Sequence, residues 1–294
     1  KPYPLPSTKL CGHIMKLRYT PWQFPVLAGE ERQHPGSAVY RETETRGLEG
    51  LPVIVCELHS HLRPVVWMLR QRLAPQTRVV YLMTDGAALP AWLSRQIEDL
   101  RKRGWIQAIV TTGHAFGGDF EAVNLASGLL VSKSLAGADV TVVAMGPGIV
   151  GTGTRYGHSA LETAFALQSA AQLGGTPIAC LRMSSGDART RHRGVSHHTL
   201  TTLAKFCLTS CWVPLPKLED PWCGVIHDQL ASSGLAERHH LVEVDCQSSY
   251  AHFLRQERNH NRTMGRNPDE DKLFYMAALS AGIFASHGSS AVKT

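Results

Sequence analysis

The chain has 294 residues, 43% of them hydrophobic and 18% charged, which is typical of a folded protein and excludes a disordered one. Its apolar stretches fall short of the roughly eighteen residues that cross a bilayer, so we expect no membrane partner. The formal net charge is +6, but the cations are dispersed, and no basic stripe with interleaved aromatic residues predicts nucleic-acid binding.

The first fifty residues show no regular repeat, because prolines interrupt them at Pro4, Pro6, Pro21, Pro25 and Pro35. We expect an irregular, extended or β-rich segment over residues 1–50. The chain begins at Lys1 rather than at Met, so we also expect that part of the protein precedes it. Residues 1–50 could then be the end of a missing domain.

From residue 51 onward, short runs rich in β-branched residues alternate with glycine-rich turns and segments of helical periodicity. This rhythm predicts an α/β domain over residues 51–294, with a doubly wound, mostly parallel, Rossmann-like sheet of about six or seven strands. The predicted strands are residues 52–58, 78–83, 107–112, 139–144, 177–182, 210–214 and 241–244. The predicted helices are residues 61–73, 90–103, 120–135, 159–173, 199–206, 225–233 and 270–286. The last helix can dock on the core or on another copy of the chain, so a homo-oligomer stays open.

The turns after the first two predicted strands carry candidate functional residues. His59 and His61 would point to one side if this segment is extended, and two imidazoles on one side suit a divalent metal or acid/base chemistry. The alternative is that one caps the next helix and the other faces water. Asp85 begins an Asp-Gly turn, and the turn alone is enough to explain an aspartate at this position. A carboxylate at the end of a parallel strand is, however, also a candidate catalytic acid.

The turn after the third strand contains three glycines, His114 and Asp119. Asp119 could simply cap the helix predicted to follow. His114 has no evident structural reason to lie among glycines that let the backbone approach a ligand. We therefore predict that His114 is a catalytic residue, and that Asp85 or Asp119 orients it.

Two later turns predict an anion site. A glycine- and threonine-rich turn before a helix can present N–H groups to an anion, although it is neither a dinucleotide fingerprint nor a Walker loop. Its candidate ligand-binding residues are Gly146, Gly148, Gly151, Thr152, Gly153 and Thr154. The next turn adds guanidinium groups, which suit phosphate or carboxylate, and histidines at a helix start. Its candidates are Arg189, Arg191, Arg193 and Ser196 for binding, and His197 and His198 for catalysis.

The cysteines number seven and contain no Cys-x-x-Cys pair. An odd set, partly within apolar runs, favours reduced thiols and therefore a cytoplasmic protein. Cys207 and Cys211 are spaced to share a helix face. Without a second Cys/His pair nearby, we interpret them as packing residues rather than as a zinc site.

Several long motifs resemble the bacterial domain-of-unknown-function family 3866. They are GHIMKLRYTP at residues 12–21, GHAFGGD at 113–119, the turn at 146–154, RGVSHHT at 193–199 and TMGR at 263–266. Members of that family carry a further β-rich portion before the position of Lys1, so the chain resembles the family's larger carboxyl-terminal part. The resemblance implies no activity and no catalytic residue.

Three hypotheses follow from these residues. The first is an enzyme, a hydrolase or transferase, that binds a small anionic and perhaps phosphorylated ligand between the glycine turn and the arginine loop, with His114 as the acid or base. The second is a hydrolase that uses a divalent metal held by His59, His61, His114 and Asp119, with His197 or His198 nearby. The third is a non-catalytic ligand-binding or assembly module.

Overall fold

The computed structural model describes residues 12–86 and 88–287. The strands in these ranges are β1 (Ile14–Lys16), β2 (Phe24–Val26), β3 (Pro52–Cys56), β4 (Val79–Thr84), β5 (Ala108–Thr112), β6 (Phe120–Ala122), β7 (Val140–Met145), β8 (Thr176–Cys180), β9 (Met183–Ser184), β10 (Gly194–Val195), β11 (Trp212–Pro216) and β12 (His240–Val244). The helices are α1 (Ser37–Arg46), α2 (Leu62–Arg72), α3 (Arg95–Lys102), α4 (Leu125–Ser134), α5 (Glu162–Gln172), α6 (His197–Thr201), α7 (Trp222–Ser233), α8 (Gln247–Glu257) and α9 (Lys272–Ser286).

The predicted α/β fold is confirmed, with eight strands in the main sheet instead of six or seven. The order is β12-β11-β8-β3-β7-β4-β5-β6, and every pair is parallel. Strands β4 and β7 are buried at every position, which is why their sequences are nearly continuous apolar runs rather than alternating ones. Two antiparallel pairs, β1 with β2 and β9 with β10, lie outside this sheet.

Helices cover both faces of the sheet. Side chains of α2, α3, α8 and α9 form one hydrophobic cluster with one face, and those of α1, α4, α5 and α7 form another with the opposite face. Helix α9 is buried from Leu273 to Ala285, so the helix predicted at residues 270–286 docks on the core. No helix in the described ranges is long and apolar enough to cross a membrane.

The prediction of a helix over residues 120–135 is wrong at its beginning. Residues Phe120–Ala122 pair with β5 as the edge strand β6, with Val110 opposite Phe120. Helix α4 starts only after Asn124, whose side chain accepts from the N–H of Ser127 at 3.0 Å. The N-cap thus lies five residues later than Asp119, the residue that sequence reasoning considered for this role.

The β1–β2 hairpin is attached to the carboxyl end of β5 through a buried lysine. The ammonium group of Lys16 donates to the carbonyl oxygens of Gly113 at 2.7 Å and Ala115 at 2.9 Å. It also forms an ion pair with Glu121 at 3.0 Å. Since Lys16 is fully buried, these three contacts replace the water that its charge would otherwise need.

Candidate functional site

The chain leaves the carboxyl ends of β3 and β8 in opposite directions. Strand β3 leads to β4 on one side of the sheet, and its neighbour β8 leads to β11 on the other. In open parallel sheets such a reversal leaves a crevice between the two strand ends. Glu57 follows β3 directly, and Arg182 lies two residues beyond β8, so both are at this crevice.

Glu57 is a buried carboxylate with three partners. Its Oε1 accepts from Arg182 Nη1 at 3.1 Å and lies 3.3 Å from His198 Nδ1, while its Oε2 accepts from the hydroxyl of Thr199 at 2.6 Å. Burial by itself would raise the pKa of Glu57. The hydrogen bond with His198, the Arg182 charge and the Thr199 hydroxyl outweigh burial and lower that pKa to about 2. Glu57 is therefore a stable anion at neutral pH.

Nδ1 of His198 has a hydrogen-bond partner in either neutral tautomer of the ring. With the proton on Nδ1, the ring donates to Glu57. With the proton on Nε2, Nδ1 accepts from Arg182 Nη1 at 3.2 Å. The ring stacks on His158 at 3.8 Å between centroids, and a Cβ at Gly151 would lie 3.3 Å from Nε2. Nε2 thus lies beside the glycine turn.

A cavity of about 160 Å³ lies beside His198. It brings the predicted glycine turn and arginine loop together, with Met264 from a third segment. Its lining residues are Ile149, Val150, Gly151, Arg182, Arg189, Arg191, His192, His198 and Met264.

The arginines of the loop differ in how their charges are compensated. Arg189 makes a two-pronged contact with the buried carboxylate of Asp187, at 2.9 and 2.8 Å. Arg193 lies outside the cavity, over the ring of Trp222 at 5.9 Å. Arg191 has no ion pair within residues 12–86 and 88–287. It is the cavity cation with the least compensated charge.

The glycines and threonines predicted to bind the ligand differ in what surrounds them in the structure. A Cβ at Gly146 would meet the terminal methyl group of Met83, which would have to move. Gly148 and Gly153 have φ of +113° and +83°, and a Cβ at Gly153 would lie 3.9 Å from the guanidinium of Arg191. The hydroxyls of Thr152 and Thr154 bond each other at 2.9 Å, which shapes the turn. Gly151 is the predicted glycine that lines the cavity.

Three histidines at the start of α6 converge. One ring nitrogen from each of His192, His197 and His198 lies within 4.8 Å of the others. Burial and neighbouring positive charges lower the pKa of His192 to about 3 and that of His197 to about 4, so both are neutral. Ser196 caps α6 through His198 N at 3.2 Å and bonds His192 Nδ1 at 2.8 Å. Neutral imidazoles at such distances could hold a divalent metal.

His114 lies far from this cluster. It follows β5, four strand spacings from β8, or roughly 19 Å along the sheet edge. Its Nδ1 accepts from the N–H of Leu17 at 3.0 Å, and Asp85 accepts from the backbone N–H of His114, not from its ring. Asp119 accepts from Ile109 N and from Arg101, each at 2.8 Å. Neither carboxylate therefore orients the His114 ring in this structure.

His59 and His61 do not share a side, because residues His59–His61 form a helical turn and not an extended segment. His59 bonds the Ser94 hydroxyl at 2.7 Å, and burial lowers its pKa to about 4. His61 instead stacks on Phe274 with centroids 4.3 Å apart. The structure thus separates the residues proposed for the metal site: His59, His61, His114 and Asp119 do not converge.

Sequence reasoning missed four residues of the crevice: Glu57, Arg182, His158 and His192. A detectable signal existed for two of them, since Glu57 and Arg182 are charged residues at the ends of otherwise apolar strand runs. Such charges are rarely buried without a partner. Their partnership, across 125 residues of sequence, is visible only in the fold.

Comparison with known proteins places the chain in a family. The family described as protein of unknown function (DUF3866) matches residues 3–282, so the chain belongs to it. No curated protein and no solved structure matches the chain.

Proposed function

We propose that this protein is an enzyme, a hydrolase or transferase, that acts on a small phosphate-bearing anion in the cavity at the ends of β3 and β8. One observation carries the proposal. A buried Glu57–His198 pair directs an imidazole nitrogen towards a small cavity that also contains Arg191, an arginine without an ion pair to any residue that the structure describes. An oriented acid/base beside an anion-binding cation is what phosphoryl or acyl transfer requires.

The roles follow from the contacts. Arg191, with the backbone at Gly151, binds the anionic group of the substrate. Nε2 of His198 removes a proton from the attacking water or hydroxyl, whose oxygen bonds to the transferred group as the bond to the leaving oxygen breaks. Glu57 stabilises the imidazolium that forms, as carboxylates do in catalytic triads, and the imidazolium then gives its proton to the leaving oxygen. The acceptor of the transferred group decides between the two classes: water makes the enzyme a hydrolase, and a hydroxyl makes it a transferase.

This proposal moves the acid/base role from His114 to His198. His198 has a buried carboxylate on its ring, whereas Asp85 contacts only the backbone of His114. The cytoplasm is the compartment we propose, since all six cysteines of the described residues are free thiols.

Phosphate binding tests the anion site. We expect calorimetric titration with inorganic phosphate and pyrophosphate to show saturable binding that Arg191→Gln weakens about tenfold or more, because a charge-assisted hydrogen bond contributes about 1.5–3 kcal/mol. Arg193→Gln is the matched control: it removes the same charge from the same loop but lies over Trp222. Equal affinity in the two variants would contradict the proposal.

Turnover tests the acid/base role. A panel of phosphate monoesters, diesters and anhydrides is assayed for phosphate release by the wild type and by His198→Gln. We expect His198→Gln to retain phosphate binding and to lose at least about 100-fold in kcat, within the range of general acid/base contributions. Binding by the wild type with no turnover of any class would instead favour a ligand-sensing or assembly module.

A metal-dependent hydrolase is the second candidate, favoured by the convergence of His192, His197 and His198 within 4.8 Å. In that case the imidazoles bind the ion, which would lower the pKa of a bound water. Elemental analysis of protein purified without chelator or affinity-tag metal decides it. One zinc or manganese per chain that is lost in His197→Gln supports this candidate. A metal content and a Tm response to both ions that are the same in the wild type and in His197→Gln remove it.

A further inference from the structure

A second group of buried cysteine and histidine side chains, residue types that bind metals, lies at the amino-terminal edge of the sheet. Cys211 and His239 directly precede β11 and β12, whose first residues, Trp212 and His240, are aligned. Cys207 follows the π-helical turn Thr202–Phe206, in which its N–H bonds the carbonyl of Thr202 at 3.0 Å. Cys207, Cys211 and His239 are 1%, 1% and 4% exposed, so this is an interior cluster and not a surface coincidence.

The distances within this cluster suit a tetrahedral ion. Cys211 Sγ lies 3.4 Å from His239 Nδ1, and one ligand atom from each of the three residues lies within 4.8 Å of the other two. Zn–S and Zn–N bonds of about 2.3 and 2.0 Å at a tetrahedral angle separate sulfur from nitrogen by about 3.5 Å. The ligand atoms need not move far to bind one ion.

The tautomer of His239 is fixed by the backbone. Its Nε2 lies 3.1 Å from the carbonyl oxygen of Leu203. A carbonyl can only accept, so Nε2 carries the proton and Nδ1 presents a lone pair to Cys211. This is the usual arrangement of metal-binding histidines, which donate their other N–H to a carbonyl or carboxylate.

We propose that Cys207, Cys211 and His239 bind one thiophilic d¹⁰ cation, Zn²⁺ or Cu⁺, at the amino edge of the sheet. Without the ion, Cys211 donates its thiol proton to His239 and Cys207 donates to the carbonyl of Thr209 at 3.4 Å. Binding releases both thiol protons to solvent and forms two thiolate bonds and one imidazole bond. Two thiolates and one imidazole suit three-coordinate Cu⁺, or Zn²⁺ with water in the fourth position.

A cluster of similar composition at the carboxyl edge of the sheet shows why the tautomer of the histidine matters. Cys56, His61 and Cys180 are also buried and within 4.8 Å. There, however, Nδ1 of His61 accepts from the N–H of Leu58 at 3.3 Å. The proton of the neutral ring is therefore on Nε2, which has no lone pair for an ion. His61 therefore offers an ion no free lone pair in this tautomer, unlike His239.

Cobalt titration tests the proposal. Metal-free full-length protein is titrated with Co²⁺, which gives an intense near-ultraviolet charge-transfer band when thiolates bind it. We expect one equivalent of Co²⁺ to saturate this band in the wild type and in Cys223→Ser, a half-exposed thiol outside the cluster. Cys211→Ser and His239→Gln should bind at least about tenfold more weakly.

Two further measurements complete the test. Zn²⁺ and, under anaerobic conditions, Cu⁺ are added to the wild type, and we expect at least one of them to displace Co²⁺ and to raise Tm. The ion that competes more strongly is the one for which the site has the higher affinity. Absence of the cobalt band from the wild type, or a band unchanged in both Cys211→Ser and His239→Gln, would overturn the proposal even if a variant folds poorly.

Discussion

The buried ion pair of Glu57 and Arg182 shows how one buried charge depends on another. The Glu57 carboxylate and the Arg182 guanidinium are 4% exposed, so water screens neither of them. Removing one member leaves the other buried without a counter-charge, which costs far more than the net contribution of the intact pair. The Glu57 and Arg182 side chains, which position the His198 ring, therefore also stabilise the fold.

Glu57→Gln should lower the free energy of unfolding by about 3–5 kcal/mol, because Arg182 then lacks its counter-ion. The double variant Glu57→Gln/Arg182→Met should recover part of this loss, since it removes the uncompensated charge. Urea denaturation of the two variants and the wild type measures both effects.

Glu49→Gln is the matched control, because it breaks an exposed ion pair with Arg46. It should change stability far less than Glu57→Gln. A double variant that is no more stable than Glu57→Gln alone would show that the buried charge of Arg182 is not the cause.

The sequence reveals the site residues whose type is unusual for a loop, but not those that only the pairing of distant strands brings together. Arg191 and His198 stand out because unusual residue types in a loop have no structural explanation in the sequence itself. Glu57 is one residue beyond an apolar strand, and only the pairing of β3 with β8 brings it to Arg182. Conversely, His114 is conspicuous in the sequence, yet its ring accepts from Leu17 of the hairpin.

At the scale of elements, α9 is buried on all sides and packs against α2. Gly282 permits this approach: a Cβ there would lie 2.8 Å from Cβ of Met68 and 3.0 Å from the carbonyl oxygen of Val65. Glycine normally weakens a helix. Its presence within α9 therefore reflects the close contact with α2 and not the local preference of the helix.

Gly282→Ala should destabilise the protein by about 1–3 kcal/mol, because backbone and Cβ atoms cannot move away as a flexible side-chain end could. Gly224→Ala in α7 is the matched control, as the nearest described atom to its new Cβ would be Asp220 Oδ1, at an ordinary contact distance of 3.8 Å. That variant should gain up to about 1 kcal/mol from helix propensity. Chemical denaturation compares the two, and effects of the same sign would contradict this account.

Element prediction succeeded where strands are long and buried on both faces, as in β4 and β7. It failed at the short edge strand β6, whose three residues carry too little pattern to separate from the helix that follows. Helix α8 was missed because its sequence is polar, and only Tyr250, Phe253 and Glu257 are buried. Its position depends on packing against α2 and α9, which no local signal encodes.

For the whole molecule, buried neutral histidines link stability to pH. Burial lowers the pKa of His61 and of His192 to about 3, whereas unfolded histidine has a pKa of about 6.5. Below about pH 6.5 the unfolded chain therefore binds protons that the folded chain does not. The stabilisation is complete above that pH and is lost progressively as pH falls towards 3.

Between about pH 6 and pH 4, we expect the free energy of unfolding to fall by about 1.4 kcal/mol per pH unit for each of these two histidines. Below about pH 4.5, protonation of Glu57 in the unfolded state adds to the loss. Urea titrations at several pH values measure the slope. His192→Gln should reduce that slope by about one proton, and an unchanged slope would show that His192 is not one of the groups responsible.

The position of β7 between β3 and β4 also constrains how the chain assembles during synthesis. Strands β3 and β4 have no hydrogen bonds to each other, because β7 bonds to both. The ribosome must therefore add roughly 55 residues after β4 before the two halves of the sheet can join. At about 5–20 residues per second this takes roughly 3–11 seconds. Throughout that interval the edges of β3 and β4 that later bond to β7 are open, and chaperones could act on them.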